Sequence, residues 1–194
     1  MQPWLVVGLG NPGPTYASHR HNVGYRVVDE LARRLGIRFS VQRGIRAEVA
    51  EGRLGLPGTD SERLALVKSR TFMNETGAAV SAMLNYYKLT PDRMIAIHDE
   101  LDIGPGQLRI KFGGGDNGHN GLKSIRKSLG TGDYYRVRVG VGRPPGRQDP
   151  ANFLLSDFPA GERENVAVEV ARAADAVESL VADGLERTQS TFNS

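Results

Sequence analysis

Histidine, aspartate and asparagine residues recur in this sequence at the ends of short apolar runs. The first group lies in residues 6–22, VVGLGNPGPTYASHRHN, which contain Asn11 and His21. A neutral amide can both donate and accept hydrogen bonds, and an imidazole can take up a proton near neutral pH. A later apolar run ends in His98 and Asp99. The chain therefore contains both halves of a histidine–carboxylate pair, which can act as a general base.

The pair formed by His21 and Asp99 is suited to activating water. We expect Asp99 to bond one ring nitrogen of His21, which would fix the tautomer and stabilise positive charge on the ring. Such a base typically contributes ~10²–10⁴-fold to a rate. Asn11, Asn74 and Asn120 could hold a carbonyl oxygen, and one oxyanion donor is commonly worth ~3 kcal/mol. Turn hydrogen bonding explains a single asparagine, but three at three turns favour a site.

A metal site is an alternative use of the histidines. His19 and His21, together with His98 and Asp99, could supply imidazole and carboxylate ligands for zinc or manganese. No spacing among them is diagnostic of such a site. The sequence therefore leaves metal-dependent hydrolysis open beside the metal-free pair.

Other familiar chemistries are excluded by context. The pattern G-x-G-x-x-G at residues 8–13 matches the dinucleotide fingerprint. That fingerprint needs a helix that opens within the glycines, whereas Pro12 and Pro14 obstruct one and the predicted helix begins near Asn22. The sequence contains no cysteine, which excludes disulfides, thiolate metal sites and a cysteine nucleophile. No G-x-S-x-G elbow marks a serine nucleophile.

Alternating strands and helices must position these side chains, which predicts an α/β fold in a single domain over residues 1–194, with a mixed, mostly parallel sheet flanked by helices. Strands are predicted at Leu5–Val7, Ile37–Val41, Arg46–Glu51, Leu64–Val67, Met94–Ile97, Leu108–Phe112 and Tyr135–Val141. Helices are predicted over 23–35, with Asn22 as N-cap, and over 77–87, 122–129 and about 160–185.

The predicted topology brings the polar groups to one edge of the sheet. The carboxyl ends of parallel strands meet at the same edge, where ligand sites form in open α/β sheets. We therefore expect residues 11–21, 72–74 and 98–102 to lie close together. A glycine-rich loop over 113–121 adds His119 and Asn120.

The charge of the chain is unevenly distributed. Residues 101–150 contain 9 lysines and arginines against 4 aspartates and glutamates, a balance of +5, whereas residues 151–194 contain 3 against 8, a balance of −5. The basic segment suits an anionic partner such as nucleic acid. No apolar run is long enough to span a bilayer, and glycine and proline interrupt the N-terminal apolar run, so we expect no membrane span and no secretion signal.

Four blocks of the sequence are similar to the signature blocks of the bacterial-type peptidyl-tRNA hydrolase family. They are VVGLGNPGPTYASHRHNVG, KSRTFMNETG, HDELDIGPGQLRIKFGGGDNGHNGLKSI and YYRVRVGVGRP, in the family's order and over most of residues 4–145. The resemblance implies a single α/β domain, a monomer and a cytoplasmic location. It also implies hydrolysis of the ester between the peptide and the terminal ribose of peptidyl-tRNA, without a metal or cofactor.

The resemblance implies roles residue by residue. His21 matches the general base, and Asp99 matches the carboxylate that supports the basic form of that histidine. Asn11 matches a residue that helps to distinguish peptidyl-tRNA from free aminoacyl-tRNA. Lys111 and Arg138 match basic residues that grip the tRNA phosphate.

Further positions are matched to the substrate cleft. Those that line the peptide and the tRNA 3′ end are Tyr16, Phe72, Asn74 and Asn120. The segment over about 144–158 resembles a mobile lid. The pair Asp116-Asn117 departs from the family, in which glycine is frequent at the second place. We hypothesise in addition that His119 orients Asn120.

A binding module without catalysis is the alternative from a different class. A chain that kept the fold could bind RNA or ribosomes with no turnover. The intact set of His21, Asp99 and Asn11 favours an enzyme. In either case, phosphate contacts would come from the basic residues of the middle segment, which are Lys111, Lys123, Arg126, Lys127 and Arg138.

Overall fold

The computed structural model of the chain describes residues 2–56, 58 and 60–193. The first and last residues of the domain predicted over 1–194 lie outside the described residues. All statements below concern the described part of the chain.

Seven described strands form one mixed sheet. They are β1 (Trp4–Gly8), β2 (Ser40–Val41), β3 (Ala47–Leu54), β4 (Glu62–Ser69), β5 (Met94–Glu100), β6 (Leu108–Phe112) and β7 (Tyr135–Gly140). Their order is β2-β3-β4-β1-β5-β7-β6. Strands β4, β1, β5 and β7 are parallel neighbours, and β2, β3 and β6 join antiparallel at the two edges. The predicted α/β class with a mixed sheet is confirmed.

Six described α-helices accompany the sheet. They are α1 (Val23–Leu35), α2 (Thr76–Tyr87), α3 (Asn120–Leu129), α4 (Pro150–Leu154), α5 (Arg163–Asp183) and α6 (Leu185–Phe192). The four helices expected from periodicity are present, and α4 and α6 are additional. Helix α4 lies inside the segment over 144–158 that resembles a lid, where no helix was predicted, because five residues are too few to show a helical period.

The helices cover both faces of the sheet. Helices α1 and α5 pack on one face, and α2 and α3 pack on the other. Successive side chains of β1 point to opposite faces of the sheet. Val6 packs in the core beneath α1 and α5, whereas Leu5 and Val7 pack in the core beneath α2 and α3. A strand that is buried on both faces needs an unbroken apolar run, which explains why β1 is apolar throughout.

A close approach of main chains fixes helix α1 against the strand ends. A Cβ atom on Gly8 would lie 2.3 Å from the carbonyl oxygen of Gly24, and one on Gly24 would lie 2.3 Å from that of Ile97. Only glycine fits at either position, so the first turn of α1 lies directly on β1 and β5. The residues just before α1 are therefore held at the carboxyl ends of these two strands.

The last helix covers one edge of the sheet. Asn193 Oδ1 accepts from the Ile110 main-chain N–H at 2.7 Å. The side chains of Asn193 and Gln189 donate to the Ile110 carbonyl at 3.1 and 3.0 Å. These amides satisfy edge groups of β6 that would otherwise offer a template for association. No helix in the described ranges is long and apolar enough to cross a membrane.

Candidate active site

Two histidines meet one carboxylate at the carboxyl end of β5. His21 lies in the 3₁₀ turn Arg20–Asn22 that leads into α1, and His119 immediately precedes α3. His21 Nδ1 lies 2.8 Å from Asp99 Oδ2, and His119 Nε2 lies 2.9 Å from Asp99 Oδ1. The two rings are 4.9 Å apart between centroids. The contact expected between His21 and Asp99 is present, and His119 adds a second partner for the carboxylate.

The hydrogen-bond partners assign the tautomers of both neutral rings. His119 Nδ1 accepts from the main-chain N–H groups of Gly121 and Leu122, at 3.0 and 3.4 Å. The His119 proton is therefore on Nε2, which donates to Asp99. The other oxygen of Asp99 accepts from His21 Nδ1–H. The lone pair of His21 is thus on Nε2, which makes no hydrogen bond with a described residue.

Asp99 is the buried charge at the centre of this group, with 2% of its surface exposed. Burial by itself would raise the pKa of the Asp99 carboxyl. The contacts with His119 and His21 outweigh burial and hold that pKa well below its ordinary value. The carboxylate therefore remains ionised and accepts from both rings.

His98 is held apart from the pair. Its Nδ1–H donates to the Asp99 carbonyl at 2.8 Å. Its Nε2 is buried and has no hydrogen-bond partner among the described residues. Burial and the neighbouring His119 lower the pKa of His98 to about 3. A proton on Nε2 would have no acceptor, so His98 stays neutral.

The predicted metal set does not assemble. His98 binds the main chain, and His19 Nε2 lies 3.9 Å from Asp157 rather than against His21. Among the described residues, the group that could offer three ligand atoms is His21, Asp99 and His119, whose atoms lie within 4.8 Å of one another. The nitrogen and oxygen atoms of this group lie at hydrogen-bond distance from one another. The same set of two imidazoles and a carboxylate would also suit zinc.

Asn11 presents a hydrogen-bond donor from a fixed position. It lies in the turn after β1 and is buried. Its Oδ1 accepts from the Met73 main-chain N–H at 2.7 Å, which fixes the orientation of the amide. The Nδ2 group then has both N–H bonds available, because no described residue accepts from it. Two of the three predicted turns, those after β1 and β4, are thus joined by this contact.

Asn22 holds the main chain of Asn11 in place. Its Oδ1 accepts from the Asn11 N–H at 2.9 Å, and its Nδ2 donates to the Asn11 carbonyl at 2.8 Å. The sequence predicted Asn22 as the N-cap of α1. The residue occupies that position, but its side chain makes no capping hydrogen bond. Instead of capping the helix, the Asn22 side chain pairs with the main chain of a residue 11 positions earlier.

The other predicted cleft residues surround this centre with less restraint. Asn74 lies in the 3₁₀ turn Met73–Glu75 and Asn120 is the first residue of α3, and both are exposed. Phe72 is 52% exposed, and its ring meets that of Tyr16 edge to face at 6.0 Å. Tyr16 is half-buried, so the exposed apolar surface of this pair comes mainly from Phe72, and exposed rings and amides can contact a base and a peptide backbone.

A cationic face lies on the antiparallel pair of strands β6 and β7. Arg109 is opposite Arg138 and Lys111 is opposite Arg136, so all four side chains share one face of the sheet. One carboxylate, Glu100, bonds Arg138 at 2.9 Å. Burial and the neighbouring Arg138 and Arg136 lower the pKa of Lys111. Lys111 and Arg138, the predicted phosphate contacts, are thus neighbours on this face.

Two side chains that were not selected from the sequence as site residues hold the glycine-rich loop in place. Arg136 is buried and donates to the carbonyls of Gly115, Gly114 and Gly132 at 2.5, 2.8 and 2.9 Å. Asn117 has a positive φ of 47° and donates to Glu100 and Asp102, at 2.7 Å each. The left-handed backbone explains why glycine suits this position. The sequence does contain one signal for Arg136. It is a basic residue at an inward-facing position of a strand in which apolar and polar residues alternate, and such a residue must find polar partners inside the protein.

Comparison with known proteins identifies relatives over nearly the whole chain. The profile of the family described as Peptidyl-tRNA hydrolase matches residues 5–194. The peptidyl-tRNA hydrolase of Streptomyces coelicolor is 58% identical and that of Mycolicibacterium smegmatis 52% identical. The alignments cover 99% of this chain in both cases, and 96% and 98% of those proteins.

Solved structures show the same fold. The crystal structure of peptidyl-tRNA hydrolase from Acinetobacter baumannii superposes with a TM-score of 0.85 at 33% sequence identity. The superposition covers 99% of this chain and 95% of that chain. The fold and the sequence blocks therefore point to the same group of proteins.

Proposed function

The chain belongs to the peptidyl-tRNA hydrolase family, as the sequence blocks predicted, and is an enzyme that hydrolyses peptidyl-tRNA. On that premise we propose that water activated by His21 cleaves the ester between the peptide and the tRNA. The observation that carries the proposal is the hydrogen-bond chain from the start of α3 through His119 and Asp99 to His21. This chain leaves a lone pair on His21 Nε2. A neutral imidazole with a free nitrogen, supported by a buried carboxylate, is a general base for water.

The proposed reaction needs no covalent intermediate. His21 Nε2 takes a proton from water while the water oxygen bonds to the ester carbonyl carbon. Asp99 stabilises the imidazolium that forms. The tetrahedral intermediate then collapses, the bond to the ribose oxygen breaks, and His21 returns the proton to that oxygen. The products are tRNA with a free terminal hydroxyl and a peptide carboxylic acid, which ionises to the carboxylate by releasing its proton to solvent.

Asn11 is proposed to bind the oxygen on which negative charge develops. Its Nδ2 group is a donor of fixed orientation, because Oδ1 is occupied by the Met73 N–H. Such preorganised donors stabilise an oxyanion without reorganisation during the reaction. The exposed amides of Asn74 and Asn120 and the aromatic pair of Tyr16 and Phe72 are proposed to hold the peptide and the tRNA 3′ end.

Lys111 and Arg138 are proposed to bind tRNA phosphate. They lie on one face with Arg109 and the buried Arg136, and phosphate contacts of this kind are independent of base sequence. The proposal includes a cytoplasmic site of action, action as a monomer, and closure of a lid over 144–158. A sedimentation measurement at assay concentration tests the monomer.

The deciding experiment compares two substrates. We expect the wild type to hydrolyse N-acetyl-aminoacyl-tRNA rapidly in the presence of EDTA and to leave the unblocked aminoacyl-tRNA intact. A His21→Ala variant should bind the blocked substrate and lose its hydrolysis. Activity that EDTA abolishes and zinc restores would instead support a metal held by His21, Asp99 and His119. Tight tRNA binding without hydrolysis would support the non-catalytic RNA-binding module.

A further inference from the structure

Arg20, the residue before the proposed base, binds the predicted lid. Its Nη1 donates to Ser156 Oγ at 2.6 Å and to the Phe153 carbonyl at 3.2 Å, with a longer contact of 3.4 Å to the Ser156 carbonyl. The guanidinium lies over the Phe153 ring, 3.9 Å from its centroid. One side chain thus contacts both helix α4 and the residue Ser156 that follows it, through hydrogen bonds and through its planar face.

The main chain beside Arg20 is held by the same segment. The Arg20 N–H donates to the Ser156 carbonyl at 3.1 Å, and His19 forms a β-bridge with Asp157. The two residues that precede His21 are therefore restrained by residues 156–157. If this segment moved away, the turn that carries His21 would lose its hydrogen bonds on that side.

The contact between Arg20 and the segment over 150–157 combines an unfavourable burial of charge with a favourable ring contact. A balance of this kind suits a segment that opens and closes. Arg20 is 8% exposed. Burial lowers the pKa of its guanidinium, and the nearby Asp157 only partly opposes this effect, so burial of Arg20 costs solvation of the cation. Phe153 is the buried residue of α4, and its contact with Arg20 offsets part of that cost. A helix of five residues is not stable alone. The closed segment therefore depends on contacts outside its own helix, and the Arg20 side chain supplies several of them.

We propose that Arg20 is a positioning residue that couples closure of the lid segment to the placement of His21. This inference rests on the proposed function, since its effect is on the proposed base. The cationic face that is proposed to bind tRNA lies on β6 and β7, and Arg20 makes no contact with it. Loss of the anchor should accordingly slow the chemical step and leave tRNA affinity intact.

The test is a comparison of Arg20→Met with Arg33→Met. Arg33 is an arginine on α1 whose side chain is 73% exposed. We expect Arg20→Met to lower kcat for N-acetyl-aminoacyl-tRNA by at least ~10-fold with KM within ~3-fold of wild type. Arg20→Lys, which can still reach Ser156, should recover most of the loss. Arg33→Met should have wild-type kinetics.

A wild-type kcat in Arg20→Met overturns the proposal, as does an equal loss in Arg33→Met. Ser156→Ala is the milder probe if Arg20→Met does not fold. It should lower kcat with KM unchanged, and combined with Arg20→Met it should add nothing further. Hydrogen exchange over 150–158 needs no substrate and should accelerate in Arg20→Met. If hydrogen exchange over 150–158 is unchanged in Arg20→Met, Arg20 does not hold this segment, and this conclusion does not depend on whether the proposed hydrolysis is correct.

Discussion

At the scale of single residues, Asn11 offers the most specific test of the proposed reaction. Asn11→Asp preserves the size of the side chain and the acceptor for the Met73 N–H. It replaces the free donor with a second oxygen and adds negative charge. We expect kcat to fall by ~10²–10³-fold, because the oxyanion loses its donor. Steady-state kinetics with N-acetyl-aminoacyl-tRNA measure this loss.

Asn85→Asp is the matched control for Asn11→Asp. Asn85 is exposed on α2, so the same change of charge there should leave hydrolysis unaffected. The assignment of Asn11 as an oxyanion donor would be wrong if Asn11→Asp retained kcat within a few-fold of wild type.

His119 has two contacts that can be separated by substitution. Asparagine in its place can still accept from the Gly121 and Leu122 N–H groups, since asparagine is a favoured N-cap, but it is too short to reach Asp99. We expect His119→Asn to keep the free energy of unfolding within ~1 kcal/mol of wild type and to lower kcat by ~10-fold, about the effect of one lost hydrogen bond. Kinetics and urea unfolding of the same preparation measure both.

The double variant with Asp99→Asn decides whether His119 acts through Asp99. If it does, His119→Asn should cost nothing further once Asp99 is changed, because residues that act as a unit are not additive. Additive losses would show that His119 acts independently, for example on Asn120 as the sequence suggested.

The residues of the site could be predicted from the sequence better than their contacts. His21, Asp99 and Asn11 were identified from residue type and position at strand ends, and the first two do meet. The pairing of Asn22 with Asn11 and of His119 with Asp99 could not be found in this way. Both pairings join distant segments through polar side chains, and the apolar periodicity of a sequence says nothing about such contacts. Asn22 and His119 also stand where a helix cap is expected, which is a sufficient local role for either residue.

At the scale of elements, the turn that carries the proposed base joins three parts of the fold. Arg20 contacts the segment after α4, His21 contacts β5, and Asn22 contacts the turn after β1. Consecutive residues can point in such different directions because a 3₁₀ turn advances by about 120° per residue. The sharp turn is therefore the reason that a three-residue motif can organise the whole site.

Elements with a clear apolar pattern were predictable, and the two helices α4 and α6 were not. The buried strands β1, β4 and β5 and the helices α1, α2, α3 and α5 follow from apolar patterns. Helix α6 was missed because it follows α5 directly at Gly184, which has a φ of 89°, and its capping of β6 depends on tertiary contact. The signal for α4 was the Asp149-Pro150 start, where Asp149 caps the Ala151 N–H at 3.1 Å.

Strand β5 should make the fold sensitive to acid through His98. Its pKa is about 3 in the folded chain, against an ordinary value of 6.5. Between these values the unfolded chain binds a proton that the folded chain does not. The free energy of unfolding should therefore fall as pH is lowered from about 6.5 toward 3, by up to ~1.4 kcal/mol per pH unit.

His98→Asn tests this pH dependence. Asparagine can donate to the Asp99 carbonyl as His98 Nδ1 does, and it does not titrate. Urea unfolding at pH 7, 6 and 5 should show a shallower loss of stability in the variant. The carboxylates contribute equally to both proteins, so the difference isolates His98. Parallel curves for the two proteins would show that His98 does not set the slope.

At the scale of the whole molecule, the charge asymmetry of the sequence becomes an asymmetry between the two faces of the sheet. Val137 and Val139 enter the core beneath α1 and α5, so Arg136 and Arg138 lie on the opposite face, which α3 covers. The basic residues of α3 are therefore on the same face as the strand cations. The acidic helix α5 lies on the other face, which directs a polyanion to one side of the protein.

Ionic strength should therefore weaken substrate binding without changing the chemistry. Each phosphate contact releases condensed counterions, so the logarithm of affinity should fall linearly with the logarithm of salt concentration. Lys111→Ala and Arg138→Ala should each weaken binding and make this slope shallower by about 1. Arg33→Ala removes the same charge from α1 and should leave the slope unchanged, because its effect on net charge alone is small.

Fluorescence titration of labelled tRNA between 50 and 300 mM KCl, about the range in which such contacts dominate, measures all four proteins. Equal slopes for all of them would remove β6 and β7 as the phosphate-binding face and leave α3 as the remaining cationic surface.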